Sequence, residues 1–149
     1  MKSVIFIDDN PNRLSREIDM MISYGLKPKL FNDIQSAYSF FKSELDTLGD
    51  FIVVIDLLME STKKLSSESG SIGSHDELTG LYLAKELVKL NLFSKKQLSR
   101  FCFYTSHGSQ GVLSKVRKFS EPYGIEIFRK SIGDPSKLCI PMINKLEAE

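Results

Sequence analysis

Apolar residues gather along this chain in short runs that polar residues close abruptly. Four of the runs, SVIFI from Ser3, FIVVI from Phe51, FCFY from Phe101 and IEIF from Ile125, are apolar almost throughout. Strands covered on both faces read this way, because neither side of the pleat meets water. A fifth run, KPKLF from Lys27, is weaker and reads as a strand nearer a sheet edge. Between the runs lie stripes at spacings of three and four: Leu14, Ile18, Met21 and Ile22, then Ile34, Ala37, Tyr38, Phe41 and Leu45. Leu81, Ala84, Leu87 and Val88 make a third stripe, and Val112, Leu113, Val116 and Phe119 a fourth. Each predicts a helix with one face to lay on a sheet. Strand and helix in alternation, five times over, predict a doubly wound α/β domain with a five-stranded parallel sheet and right-handed crossovers. The last helix carries a conflict. Asp134 and Pro135 suit an N-cap and a first turn, yet Pro141 would remove a backbone donor and kink the helix, so a later start near Ile140 is an alternative.

One stretch breaks the rhythm. From Glu60 to Leu78 the chain reads ESTKKLSSESGSIGSHDEL, with six Ser, two Gly and no sustained apolar period. Such a segment reads as a long mobile loop inserted between the third strand and the third helix, either a lid or partner surface or an unselective insertion. The 149 residues are otherwise the length of one ordinary domain, able to bury a core without disulfides or metal staples, and no separate output domain is visible.

Charge and cysteine content narrow the field. Lys and Arg total 20 against 19 for Asp and Glu, so a net charge of +1 supplies no general attraction to nucleic acid or to a membrane. The N-terminal VIFI is too short for a secretory signal or a membrane span, which points to a cytoplasmic protein. Cys102 and Cys139 lack any C-x-x-C or Cys/His zinc spacing and read as reduced thiols, Cys102 within the core. His75 with Asp76 and Glu77 is a poor metal set, because adjacent residues rarely converge on one ion.

The chemistry lies where the strands stop. VIFI ends in Asp8 and Asp9, FIVVI in Asp56, FCFY in Thr105 and Ser106, and IEIFR in Lys130. Asp and Asn before Pro11 also suit a simple turn and helix start. In an open parallel sheet, however, ligands bind beyond the carboxyl ends of the strands, so three carboxylates, a hydroxyl and an amine are expected at one edge. Carboxylates that close repel, and the usual remedies are a raised pKa or a bound cation. An all-oxygen set favours Mg²⁺, which takes one or two carboxylates together with water and phosphate oxygens. A phosphoryl group would complete such a site, with Lys130 and Thr105 offering charge and a hydrogen bond to its oxygens.

The ordered set Asp8-Asp9, Asp56, Thr105-Ser106 and Lys130 resembles that of a response-regulator receiver domain of the chemotaxis-regulator kind, over essentially the whole chain. DLLM after the third strand is similar to the family's Asp-x-x-Met, and Gly80 resembles the glycine that opens its third helix. The resemblance implies a flavodoxin-like receiver fold with strand order 2-1-3-4-5. It implies that Asp56 is the phosphoacceptor, taking a phosphoryl group from a histidine kinase, a histidine phosphotransfer protein or a small phosphodonor. Asp9, Asp56 and the backbone carbonyl of Leu58 would bind Mg²⁺ directly, with Asp8 acting through water. Thr105 would swing toward the phosphate and reset the surface on which a downstream protein docks.

Departures from the family pattern are specific. Ser131 follows Lys130 where the family often has Pro, and a cis peptide there would cost about 2.5–4 kcal/mol. Ile127 occupies the position of the family's switch aromatic, and Glu60 follows Met59 where Pro is common. Leu58 and His107 stand at the positions that flank the attacking water, and an apolar Leu58 predicts slow self-dephosphorylation unless His107 or the inserted loop compensates. Two other functions compete: a phosphorylation-independent interaction module, and a haloacid-dehalogenase-like phosphatase, whose Asp-x-Asp pair neither Asp8-Asp9 nor Asp56-Leu57-Leu58 supplies.

Overall fold

The computed structural model of the chain describes residues 2–59, 78–106, 109–130 and 134–148. Five strands, β1 (Lys2–Ile7), β2 (Lys27–Phe31), β3 (Asp50–Ile55), β4 (Phe101–Thr105) and β5 (Glu126–Arg129), form one parallel sheet in the order β2-β1-β3-β4-β5. Helices α1 (Ser15–Ser23), α2 (Ile34–Glu44), α3 (Thr79–Lys89), α4 (Lys95–Leu98), α5 (Gln110–Ser120) and α6 (Ser136–Glu147) connect and follow them. The doubly wound sheet and its 2-1-3-4-5 order are as expected from the sequence.

The pleat divides the core in two. Ile5, Ile7, Phe51, Val53, Ile55, Phe101 and Phe103 point to a layer shared with α2, α3 and α5. Val4, Phe6, Ile52, Val54, Cys102 and Tyr104 point to the other, shared with α1 and α6. Burial on both faces explains why these runs carry no polar alternation.

Two details depart from the expected helices. Along the first stripe the expected face holds for Leu14, Met21 and Ile18, which lie in or against the core, but on α1 Ile22 is 49% exposed and Glu17 is buried. Pro11 opens a 3₁₀ turn, Pro11–Leu14, ahead of α1. The second departure is α4, a single turn held by a reciprocal capping box in which Ser94 Oγ accepts from the Gln97 N–H and Gln97 Oε1 from the Ser94 N–H. At the other terminus, α6 starts at Ser136 and runs through Pro141, so the later start near Ile140 is not taken. One lost donor is outweighed by the apolar face of Leu138, Cys139, Met142, Ile143 and Leu146, all buried against the sheet.

At the N-terminal end of the sheet, two cations each meet a carboxylate. Arg100 reaches Asp50 at 3.3 Å and donates to the Leu146 carbonyl at 3.1 Å, near the end of α6. Lys145 pairs with Glu126 at 2.7 Å and donates to the carbonyls of Ser99 and Gly124. Both cysteines are buried free thiols, and burial pushes the Cys139 thiol up to about 12. Among the described residues no helix is long and apolar enough to cross a membrane.

Candidate functional site

Strand register assembles the opposite end. Ile7 lies beside Ile55 in the β1–β3 ladder, so Asp8 and Asp56, the next residues on each chain, emerge side by side. The Asp56 N–H donates to the Ile7 carbonyl at 2.9 Å and fixes that alignment. Thr105 lies beside Arg129 in the β4–β5 ladder, and the Lys130 N–H donates to the Thr105 carbonyl at 2.8 Å, which brings Lys130 over the same edge.

Asp8, Asp9 and Asp56 each offer a carboxylate oxygen within 4.8 Å of the others. Asp8 and Asp56 are buried and Asp9 is half-buried. The Lys130 ammonium stands 3.1 Å from Asp8 Oδ2 and 3.7 Å from Asp56 Oδ2. Asp8 also ends the strand as a turn-former, its Oδ1 accepting from the Asn10 N–H at 2.8 Å. The turn-making and site-forming readings of the acid pair are therefore both satisfied by one side chain, one oxygen for each.

Asp8 and Asp56 share the Lys130 ammonium, and the effect of burial shows in Asp56. Burial raises its pKa from 3.8 to about 6; Lys130 opposes the shift, Asp8 adds to it, the Leu58 N–H opposes it from 3.3 Å, and Asp9 adds a last contribution. A carboxylate so placed gains from a cation. The donors are all oxygen and lie within 4.8 Å of one another, so the residues fit a hard divalent ion such as Mg²⁺.

The loop after Asp56 is pinned by the start of α3. Gly80 donates its N–H to the Leu57 carbonyl at 3.0 Å, and Thr79 Oγ1 donates to the Met59 carbonyl at 3.1 Å. A Cβ at Gly80 would sit 2.1 Å from the Asp56 carbonyl oxygen, so only glycine permits this approach. Leu58 lies in the loop with 36% of its surface exposed. Thr105 is fully buried at the end of β4, and Ser106 beyond it is exposed. Ile127 is half-buried and packs against the layer shared with α2, α3 and α5; it also lines a groove with Leu113, Arg117, Ser120 and Arg129.

His107, Ser131, the trio His75, Asp76 and Glu77, and the inserted segment apart from Leu78 lie outside the described residues. Two residues beside the site were not singled out from the sequence. Tyr104, buried in β4, has its ring centre 5.7 Å from the Lys130 ammonium, and its hydroxyl donates to the buried Glu17 of α1 at 2.5 Å. A tyrosine inside an apolar strand and a glutamate on a helix's apolar side were the signals available.

No family model and no curated protein sequence matches the chain. Solved structures do resemble it. The receiver domain of Francisella response regulator 1452 is 17% identical, with a TM-score of 0.66 over 98% of this chain and 96% of that one. A response regulator receiver domain protein from Clostridium thermocellum is 16% identical, with a TM-score of 0.68 over 99% and 95%. The response regulator TrrA from Thermotoga maritima, solved in complex with Mg²⁺ and BeF, is 20% identical, with a TM-score of 0.62 over 98% and 99%. The chain is thus similar along nearly its whole length to receiver domains of response regulators.

Proposed function

With the receiver fold as premise, we propose that the chain is a phosphoacceptor signalling domain in which Asp56 takes a phosphoryl group in a Mg²⁺-dependent reaction. The observation that carries the reading is the meeting of Asp8, Asp9, Asp56 and Lys130 at the carboxyl end of the sheet, with the Lys130 ammonium 3.1 Å from one carboxylate and 3.7 Å from another. An Asp56 oxygen attacks phosphorus in line; the bond from phosphorus to the donor's histidine nitrogen, or to the oxygen of a small phosphodonor, breaks, and the leaving atom keeps the electron pair. Asp56 must be anionic for this step, and with a pKa of about 6 it is so at neutral pH even before a cation binds. Mg²⁺, held by Asp9, Asp56 and the Leu58 carbonyl with Asp8 acting through water, would offset charge between the nucleophile and the donor phosphate. Lys130 stays beside the Asp56 carboxylate and pairs with a phosphoryl oxygen once the group arrives. Thr105 supplies a hydroxyl from the neighbouring strand.

The partners that fit this chemistry are a histidine kinase or histidine phosphotransfer protein upstream and a protein contact downstream. Receiver switching requires two conformations only a few kcal/mol apart, so that one new anion shifts the population. The Mg²⁺–BeF complex of the Thermotoga maritima protein supports trying the same mimic here.

Intact-mass measurement with Mg²⁺ and acetyl phosphate, on wild type and Asp56→Ala, tests the reading. A single phosphoryl adduct on wild type alone is the expected result. No adduct from any donor, and no binding of beryllofluoride, would leave a phosphorylation-independent interaction module; sustained turnover of phosphate esters would point instead to a phosphatase.

A further inference from the structure

A receiver-type site needs its lysine held where the phosphoryl oxygens will be, yet a four-carbon side chain is intrinsically mobile. In this chain the Lys130 ammonium has a floor as well as two carboxylates. The ring of Tyr104 lies beneath it, with the ring centre 5.7 Å from Nζ, inside the range of a cation–π contact. Only 27% of the Lys130 side chain remains exposed, and Tyr104 is 2% exposed, so the contact is partly screened from water.

The ring is itself fixed from behind. Its hydroxyl donates to Glu17 Oε2 at 2.5 Å, and Glu17 is 8% exposed on the sheet-facing side of α1. A carboxylate and a phenol in such a place each cost desolvation unless they satisfy one another. Burial and Glu17 both raise the Tyr104 pKa, so the phenol keeps its proton and the contact does not switch with pH. Glu17 is further tied to α6, its backbone carbonyl lying 3.7 Å from the Cys139 thiol.

We propose that Tyr104 and Glu17 are positioning residues for Lys130: the Tyr104 ring seats the ammonium beside Asp56, and Glu17 holds the ring in place. The role rests on the phosphoacceptor reading of Asp56. A mere brace between β4 and α1 would need the hydroxyl-to-carboxylate bond and be indifferent to the ring under Lys130, whereas positioning needs the ring above all.

The experiment separates the two with Tyr104→Phe, which keeps the ring, and Tyr104→Leu, which removes it, at a temperature where both are folded by circular dichroism. The side-chain methylene resonances of Lys130 in a ¹³C-resolved NMR spectrum report the ring directly, being shifted upfield above an aromatic face. They are expected upfield in wild type and Tyr104→Phe and at ordinary positions in Tyr104→Leu. The initial rate of phosphorylation by acetyl phosphate, with Mg²⁺ at saturation, is expected to fall about tenfold in Tyr104→Leu, and to be partly rescued in Tyr104→Phe, which keeps the ring but loses its tie to Glu17. Glu17→Gln, which keeps an acceptor for the hydroxyl, is expected to stay near wild type. Lys130 resonances that do not move in Tyr104→Leu, or a wild-type rate in that variant, would overturn the positioning role alone. No adduct on wild-type protein would overturn the phosphoacceptor reading, and this role with it, even if the ring shift is present.

Discussion

The two ends of the sheet treat charge in opposite ways. At the N-terminal end, Arg100 and Lys145 each meet one carboxylate and also donate to carbonyls of Leu146, Ser99 and Gly124, although the buried Arg100 Nε finds no partner among the described residues. At the C-terminal end, Asp8 and Asp56 share Lys130 with Asp9 close by, and the carboxyl of Asp56 is pushed up to about 6. The same scaffold thus holds a closed set of charges at one end and an open set at the other. An open set costs stability in the free protein and is relieved by a cation or a phosphoryl group, which is a reason to read it as a site.

The sharpest way to break the contrast is at Gly80. Gly80→Ala drives a methyl group into the Asp56 backbone, where no flexible side chain can yield, and is expected to cost about 3 kcal/mol in a denaturant titration and to weaken Mg²⁺ binding. An unchanged midpoint would mean that α3 need not approach Asp56 so closely.

Relieving the open set should do the reverse. Asp56→Asn removes the charge that burial and its acidic neighbours penalise. The folded pKa lies above the ordinary value, so the protonated form contributes stability below pH 3.8, and that contribution is lost as pH rises through about 6. Relative to wild type the variant should therefore gain nothing near pH 3.8 and roughly 2 kcal/mol above pH 7, a figure reduced for the solvent still reaching the carboxylate. Thermal melts of both proteins across that range check the sign, and Mg²⁺ should narrow the gap above pH 6 by stabilising wild type.

At the closed end the effect should be smaller and insensitive to Mg²⁺. Arg100→Met leaves Asp50, which is 62% exposed, to water, but deprives the Leu146 carbonyl of its donor. About 1–2 kcal/mol is expected in the same titration, with phosphorylation rate unchanged. A loss of phosphorylation would show that the two ends are coupled. The least change in stability is expected at Leu58. Leu58→Asn should leave the melting temperature within a degree or so of wild type, in line with a surface substitution of a few tenths of a kcal/mol. It should speed decay of the phosphorylated protein severalfold by supplying a hydrogen-bonding group to water.

Much of this was legible along the chain. Parallel strands buried on both faces show as apolar runs, and the residue that ends each run must lie at the carboxyl edge whatever the strand order; Asp8, Asp56, Thr105 and Lys130 all follow from that. The helices were less secure, because a stripe at spacings of three and four is compatible with more than one rotation about the axis. Ile22, expected inward, is exposed, and Glu17, which no apolar stripe marks, is buried against Tyr104. Pro141 forbids a hydrogen bond but not a helix, and only the apolar face laid on the sheet showed which consideration prevailed. The one-turn α4 had a local signature in Ser94-Lys95-Lys96-Gln97, too short to stand out against its surroundings.

By itself the sequence determined which chemical groups end the strands, since side-chain identity and strand limits are local properties. Which strands are neighbours is not local. Insertion of β1 between β2 and β3, and the register that sets Ile7 beside Ile55, bring Asp8 to Asp56 across nearly fifty residues of chain. Burial then decides the rest: it raises the proton affinity of Asp56, makes glycine the only residue that fits at position 80, and turns a core tyrosine and a helix glutamate into the floor beneath Lys130. Electrostatic energy depends on distance and on excluded water, and both exist only once the chain has folded.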